Sequence, residues 1–212
     1  MTLKRGFFVL LFALIALTFI IHEAFLFRPG DPEWTYIRPF RWWLLGHGLA
    51  AAIAFLIVPL QFSGTIRARN LTLHRWIGRL YVAAVAVAGA LSLVINLNFE
   101  SAVVVPAGVA QGGLWILCTA FAWFAARNRA IAQHKLWAVR SYGLAFTFVA
   151  TRLIPDLPFF PPTDQALADL IWALIAAAMV LPDLIFAGRA VLPWRRSPAT
   201  SPLPQDAVVA ER

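Results

Sequence analysis

Six apolar runs, each about as long as a bilayer is thick, set the terms for this chain. They cover about residues 7–27, 41–62, 76–95, 102–126, 136–154 and 165–186. A hydrocarbon core of about 30 Å takes about 20 residues of helix at about 1.5 Å each. Lipid offers the backbone no hydrogen-bond partner, so a spanning segment must satisfy its N–H and C=O groups within itself. Barrel strands are about 10 residues long and alternate in polarity, a pattern these runs lack. The expected fold is an all-α membrane protein with six transmembrane helices. Composition agrees: the 212 residues are 61% hydrophobic and 13% charged, where a soluble domain has about 45–50% and about 25%.

Breaks between the runs follow from local chemistry. Lys4 and Arg5 precede the first run as they would in a signal peptide. That run exceeds the usual core of about 7–15 residues and has no small-residue exit, so it reads as an uncleaved span. Pro29, Gly30, Pro32 and Pro39 form a loop. Trp34, Tyr36, Trp42 and Trp43 suit the interface. Pro59 lies inside the second run, and Pro106 opens the fourth, where a helix tolerates it. Pro155, Pro158, Pro161 and Pro162 stiffen the loop before the sixth. Residues 1–194 read as one six-helix domain. Residues 195–212, rich in Ser, Pro, Ala and charge, read as a disordered cytoplasmic tail. The single cysteine, Cys118, excludes an internal disulfide and reads as a small packed residue.

Charge orients the bundle. With six spans, 14 of the 18 Lys and Arg residues fall on one side, with the termini and the loops 63–75 and 127–135. Arg28, Arg38, Arg41 and Arg152 fall on the other, with most of the acids. Basic residues mark the cytoplasmic side, so both termini are expected there. This also accounts for the net charge of +8 without nucleic acid as a partner.

One unit occurs twice. Arg67, Arg69 and the pair His74-Arg75 recur, shifted by 60 residues, as Arg127, Arg129 and His134-Lys135. Each is followed by an Arg and a Tyr, Arg79 with Tyr81 and Arg140 with Tyr142. Spans two–three and four–five therefore read as duplicated helical hairpins.

Ionisable groups within spans are costly and face the bundle interior by default. The four histidines fall at two depths: His74 and His134 open their spans from the basic side, while His22 and His47 lie near the opposite face. Layered histidines on a bundle suit haem b, each iron taking an imidazole from two helices. Gly46 and Gly48 flank His47 and leave room for a flat group. His134, Ser141 and Arg152 share one helical face, with Tyr142 beside it; His47 and Gln61 share another. Gln61, Ser141, Tyr142 and Arg152 are thus candidates to line a polar cavity, Arg152 as anchor for an anionic group. Asp183, behind Pro182, either carries protons or pairs with Arg189. A competing reading needs no cofactor: Arg67, Arg69, Arg75, Arg127, Arg129 and Lys135 sit at headgroup level and could grip lipid phosphate. No nucleophile–base pair or phosphate loop is evident in the sequence.

His47, Gln61-Phe62, the stretch His74 to Tyr81, the stretch His134 to Tyr142, and Arg152 together resemble the domain-of-unknown-function 2306 family. These are small multi-pass bacterial membrane proteins, so the resemblance implies a bacterial inner-membrane location. It spans roughly residues 40–155 and supplies no activity. Lys135 departs from the first motif, where Arg follows His. A looser likeness, of fold alone, is to cytochrome b561-type bundles. Two readings stand open: an electron carrier using haem b or a quinone through His47, His74, His134 and His22, and a non-redox transporter or lipid-binding assembly protein. Its partners would be membrane lipids and, in the first reading, a quinone or redox protein.

Overall fold

A computed structural model describes residues 37–191, with isolated positions 6, 7, 10, 13, 14, 17 and 35, and of residues 188–191 the backbone only. The expected first span, with His22, and the tail 195–212 lie outside these residues, apart from those isolated positions.

The described chain is helical, with no strand among the described residues. The helices are α1 Arg41–Gln61, α2 Gly64–Arg69, α3 Leu71–Phe99, α4 Val105–Arg127, α5 Ile131–Leu153 and α6 Asp164–Val191. Their ends follow the polar residues. Ser63 caps α2 through Ile66 N at 3.3 Å, and Asn70 caps α3 through Leu73 N at 2.8 Å. Pro106 occupies the first turn of α4, where its missing N–H costs nothing. Thr163 accepts from Ala166 N to start α6.

Among the described residues, four helices are long and apolar enough to cross a membrane: α1, α3, α4 and the Asp164–Ala187 part of α6. The 23-residue α5 has the length, but Gln133, His134, Lys135, Arg140 and Arg152 make it more polar. It nevertheless runs between α4 and α6 along its whole length. Two boundaries differ from the sequence reading. The stretch 63–75, expected as a loop, holds α2 and the first turn of α3. Asn70 supplies both a C-cap and an N-cap there, which lets helix resume at once.

Successive long helices run antiparallel, so each end of the bundle gathers alternate termini. The basic end carries Gln61, α2, the starts of α3 and α5, and the end of α4. The opposite, acidic end carries Glu100, Asp156, Asp164 and Asp169. α1, α3, α4 and α5 form a ring, each packed on the next and α5 touching α1; α6 docks outside on α5 and α4. The core is built of small residues, with Ala54, Ala88, Ala107 and Leu144 wholly enclosed. Lipid gives helices no hydrophobic reason to associate, so close contact does that work. Gly108 and Gly112 let α4 approach α3: a Cβ at Gly108 would fall 1.6 Å from Asn96 Oδ1. Gly143 does the same for α6, with Ala178 Cβ 2.9 Å from where its own Cβ would be.

The turn from α4 to α5 is closed by its own backbone bonds. Ala130 N bonds to Ala125 O at 2.9 Å and Arg129 N to Ala126 O at 3.2 Å. This is a Schellman closure. Its left-handed position, φ 59°, is held by Arg129, where glycine would be unstrained.

Candidate functional site

The polar side chains of the interior lie at three levels. At the basic end, His74 and His134 are each the fourth residue of their helix, α3 and α5. They stand at matching depth and close enough to interact electrostatically. His134 Nδ1 lies 2.9 Å from Ala122 O. A carbonyl can only accept, so Nδ1 carries the proton and Nε2 keeps its lone pair. Gln61 closes this level: its Nε2 donates to His74 O at 3.1 Å. Around it Arg67, Arg69, Arg75, Arg127, Arg129 and Lys135 are exposed, as headgroup contact requires.

Arg140, more than one turn further along α5 than His134, is not at the surface. It forms an ion pair with Asp183, donates from Nε to Met179 O at 3.3 Å, and stacks 4.5 Å above the Trp137 ring. Asp183 therefore meets a cation from α5; the side chain of Arg189, its expected partner, lies outside the described residues. Pro182 breaks the α6 ladder here.

The middle level was largely missed from sequence. Trp115 Nε1 donates to Tyr81 OH at 3.4 Å; Tyr81 OH and Ser141 Oγ are 2.7 Å apart; Ser141 Oγ and Thr119 Oγ1 are 2.7 Å apart; Thr119 donates to Trp115 O at 2.8 Å. The indole can only donate and the carbonyl can only accept. That fixes every proton: Trp115 to Tyr81 to Ser141 to Thr119 and back to the Trp115 carbonyl. Each hydroxyl gives once and receives once. Ser141 was expected in a polar cavity and is fully buried in this circuit. Tyr142 was expected there too, but its ring lies 5.5 Å from Phe55 and 6.0 Å from Phe62, in an aromatic cluster. Tyr81 and Ser141 are 60 residues apart, so the repeat offset itself would have paired them. Cys118 is buried, with its sulfur 3.8 Å from that of Met179.

At the acidic end, His47 is buried and its Nδ1 lies 2.8 Å from Ala88 O, so it too is the Nδ1–H tautomer. Its ring meets Phe148 edge-on at 5.5 Å. Arg152 stacks 4.9 Å above the other side of this group, on Phe148. It acts electrostatically on both His47 and Glu100. Partial burial pushes the Glu100 pKa up, Arg152 opposes this, and Asp164 adds to it. The sequence-derived faces therefore hold: His134, Ser141 and Arg152 all turn inward, and His47 and Gln61 both meet α3.

A haem ligand needs a free Nε2 and a second-shell partner on its other nitrogen, commonly a backbone carbonyl. His47 and His134 have that arrangement. His74 supplies a second imidazole beside His134, but its Nδ1 has no partner among the described residues.

These features define a helical membrane protein with a hydrogen-bonded polar interior. The chain belongs to the family described as predicted membrane protein, domain of unknown function 2306, whose sequence pattern matches residues 44–188, more than half of its length. No curated protein and no solved structure matches it.

Proposed function

We propose that the protein crosses a bacterial inner membrane six times, with its basic end in the cytoplasm, and carries electrons through haem b held by its histidines, exchanging them with a quinone-type partner. Sixfold crossing counts α5 and the segment before residue 37 as spans. Of the three cations of α5, Lys135 and Arg152 lie near its two ends, where long side chains reach water or a partner, and Arg140, nearer the middle, is paired with Asp183. Orientation follows the basic asymmetry of the ends.

One observation carries the redox reading. His47 and His134, at opposite ends, both bond through Nδ1 to a main-chain carbonyl of a neighbouring helix. Each ring is thereby held in one tautomer with Nε2 as its lone pair, the state in which imidazole ligates iron. His134 and His74 would hold one group, His47 another. Haem bound there supplies one-electron transfer; the chain orients the rings and keeps water from them. The test is the absorption spectrum of protein purified gently from cells supplied with haem precursor. A Soret band and a reduced α-band are expected, both weakened in His134→Phe and both lost when His47→Phe is added. A colourless protein retaining full helix content overturns the haem assignment.

The second reading, lipid-headgroup binding at the basic end, draws on Arg129. This residue keeps a strained left-handed backbone that glycine would relieve, beside the exposed Arg127 and Lys135. It predicts colourless protein that retains anionic phospholipid, with binding weakened more by Arg127→Gln and Arg129→Gln than by changes at His74 or His134.

A further inference from the structure

Two buried polar atoms at the basic end have no hydrogen-bond partner among the described residues: Gln61 Oε1 and His74 Nδ1. Both belong to one turn of structure. Gln61 Nε2 donates to the His74 carbonyl at 3.1 Å, and the amide lies on Gly78, one turn further along α3. A Cβ at Gly78 would stand 2.7 Å from Gln61 Nε2, so the bare glycine is what admits the amide. Because the His74 carbonyl can only accept, the amide nitrogen is fixed on that side and the oxygen on the other. Oε1 is thus an acceptor held in place with nothing to accept from. Buried groups in this position are almost always paired, and leaving one unpaired costs about 1–3 kcal/mol.

The surroundings narrow the missing partner. The ring of Phe62, next to Gln61 in the chain, stands 6.0 Å from that of Tyr142, which lies 5.5 Å from Phe55. Phe62 is half exposed, which puts this aromatic edge at the surface of the bundle. Rings of this kind favour a flat aromatic guest. A phosphate oxygen offers only acceptors and would leave Oε1 unanswered. So would the carbonyls of an oxidised quinone. A ring hydroxyl answers both atoms.

We propose that Gln61 and His74 bind the ring hydroxyl of a membrane-dissolved quinol, which donates to Gln61 Oε1 and accepts from His74 Nδ1–H. This rests on the redox reading for the class of ligand and deepens it. If His74 also holds iron through Nε2, the quinol hydroxyl completes the second-shell bond that its Nδ1 lacks within the protein. The site discriminates by oxidation state, because only the reduced ring carries the donor.

The experiment uses the full chain in phosphatidylcholine nanodiscs, kept anaerobic. Quenching of tryptophan fluorescence is titrated with a short-tailed benzoquinol, the matching benzoquinone, and the quinol's dimethyl ether. The quinol is expected to bind about tenfold more tightly than the other two, the size of one hydrogen bond to a buried group. Gln61→Leu should abolish that preference. Gln61→Glu, which keeps an acceptor oxygen, should preserve it. His74→Phe should weaken the quinol alone, with helix content unchanged by circular dichroism. Equal binding of the ether, a preference that survives Gln61→Leu, or no quinol binding at all overturns the site and leaves water as the occupant. The visible spectrum of the same sample is read beside it. A haem band without quinol preference sinks this site and spares the haem reading; preference without a band does the reverse.

Discussion

Tyr81 and Ser141 stand 60 residues apart and share a 2.7 Å hydrogen bond between α3 and α5. The same offset separates His74 from His134, and the first residue of α3, Leu71, from the first of α5, Ile131. At Tyr81 and Ser141, residues related by the sequence offset meet in space. The bond is also one link of a circuit whose every donor and acceptor is used. Tyr81→Phe should leave the Trp115 N–H without its acceptor and Ser141 without its donor, at a cost of about 1–3 kcal/mol. Ser141→Ala should cost a similar amount. The double variant should lose less than the two losses combined, because both break one network. Denaturant unfolding in mild detergent measures all three.

The Arg140–Asp183 pair pins α6 to α5 where Pro182 interrupts the ladder. Asp183 is half exposed, which keeps its contribution small. Asp183→Asn should lower stability by about 1 kcal/mol at low ionic strength. The gap between wild type and variant should narrow at about 1 M salt, where charges are screened beyond about 3 Å. An unchanged gap would mean that Arg140 is held by Trp137 and the Met179 carbonyl instead.

Arg129 can be tested for strain and for use together. Arg129→Gly should raise stability by about 1 kcal/mol, since the left-handed backbone then costs nothing. Arg129→Ala removes the same charge and keeps the strain, so it should bring no such gain. If the side chain holds lipid phosphate, both variants should float less with anionic vesicles, and equally so.

Glu100 predicts the sign of a pH effect. Its folded pKa is raised above the unfolded one, so its contribution is fully present below the unfolded value and is lost as pH rises through the folded one. Glu100→Gln should therefore raise the melting temperature at pH 7 and leave it unchanged at about pH 4. A variant less stable at pH 7 would mean that the attraction of Arg152 outweighs burial.

Much of the fold could be read from apolar length and basic asymmetry, because a bilayer imposes one distance on every span. The inward faces of α5 could be read from helical spacing, since His134, Ser141 and Arg152 differ by whole turns. α2 was missed because Ser63 and Asn70 look like loop residues, and only as caps do they announce helix. Tyr81 was missed for another reason. A tyrosine near a span's end suits the interface equally well, and only its partner sixty residues on gives it away. The ring of Tyr142 lies with Phe55 and Phe62, a contact between α5 and the end of α1 that spacing along one helix does not reveal. The pairing of Asp183 with Arg140 was not foreseen, because sequence proximity is visible and the packing of α5 on α6 is not.

The circuit at Trp115 has a fixed sense. Its indole end cannot receive a proton and its carbonyl end cannot release one, so the loop cannot turn over as a relay must. Along these side chains the middle of the molecule is an insulator for protons. The imidazoles at one membrane face are therefore not joined through these side chains to the imidazole at the other.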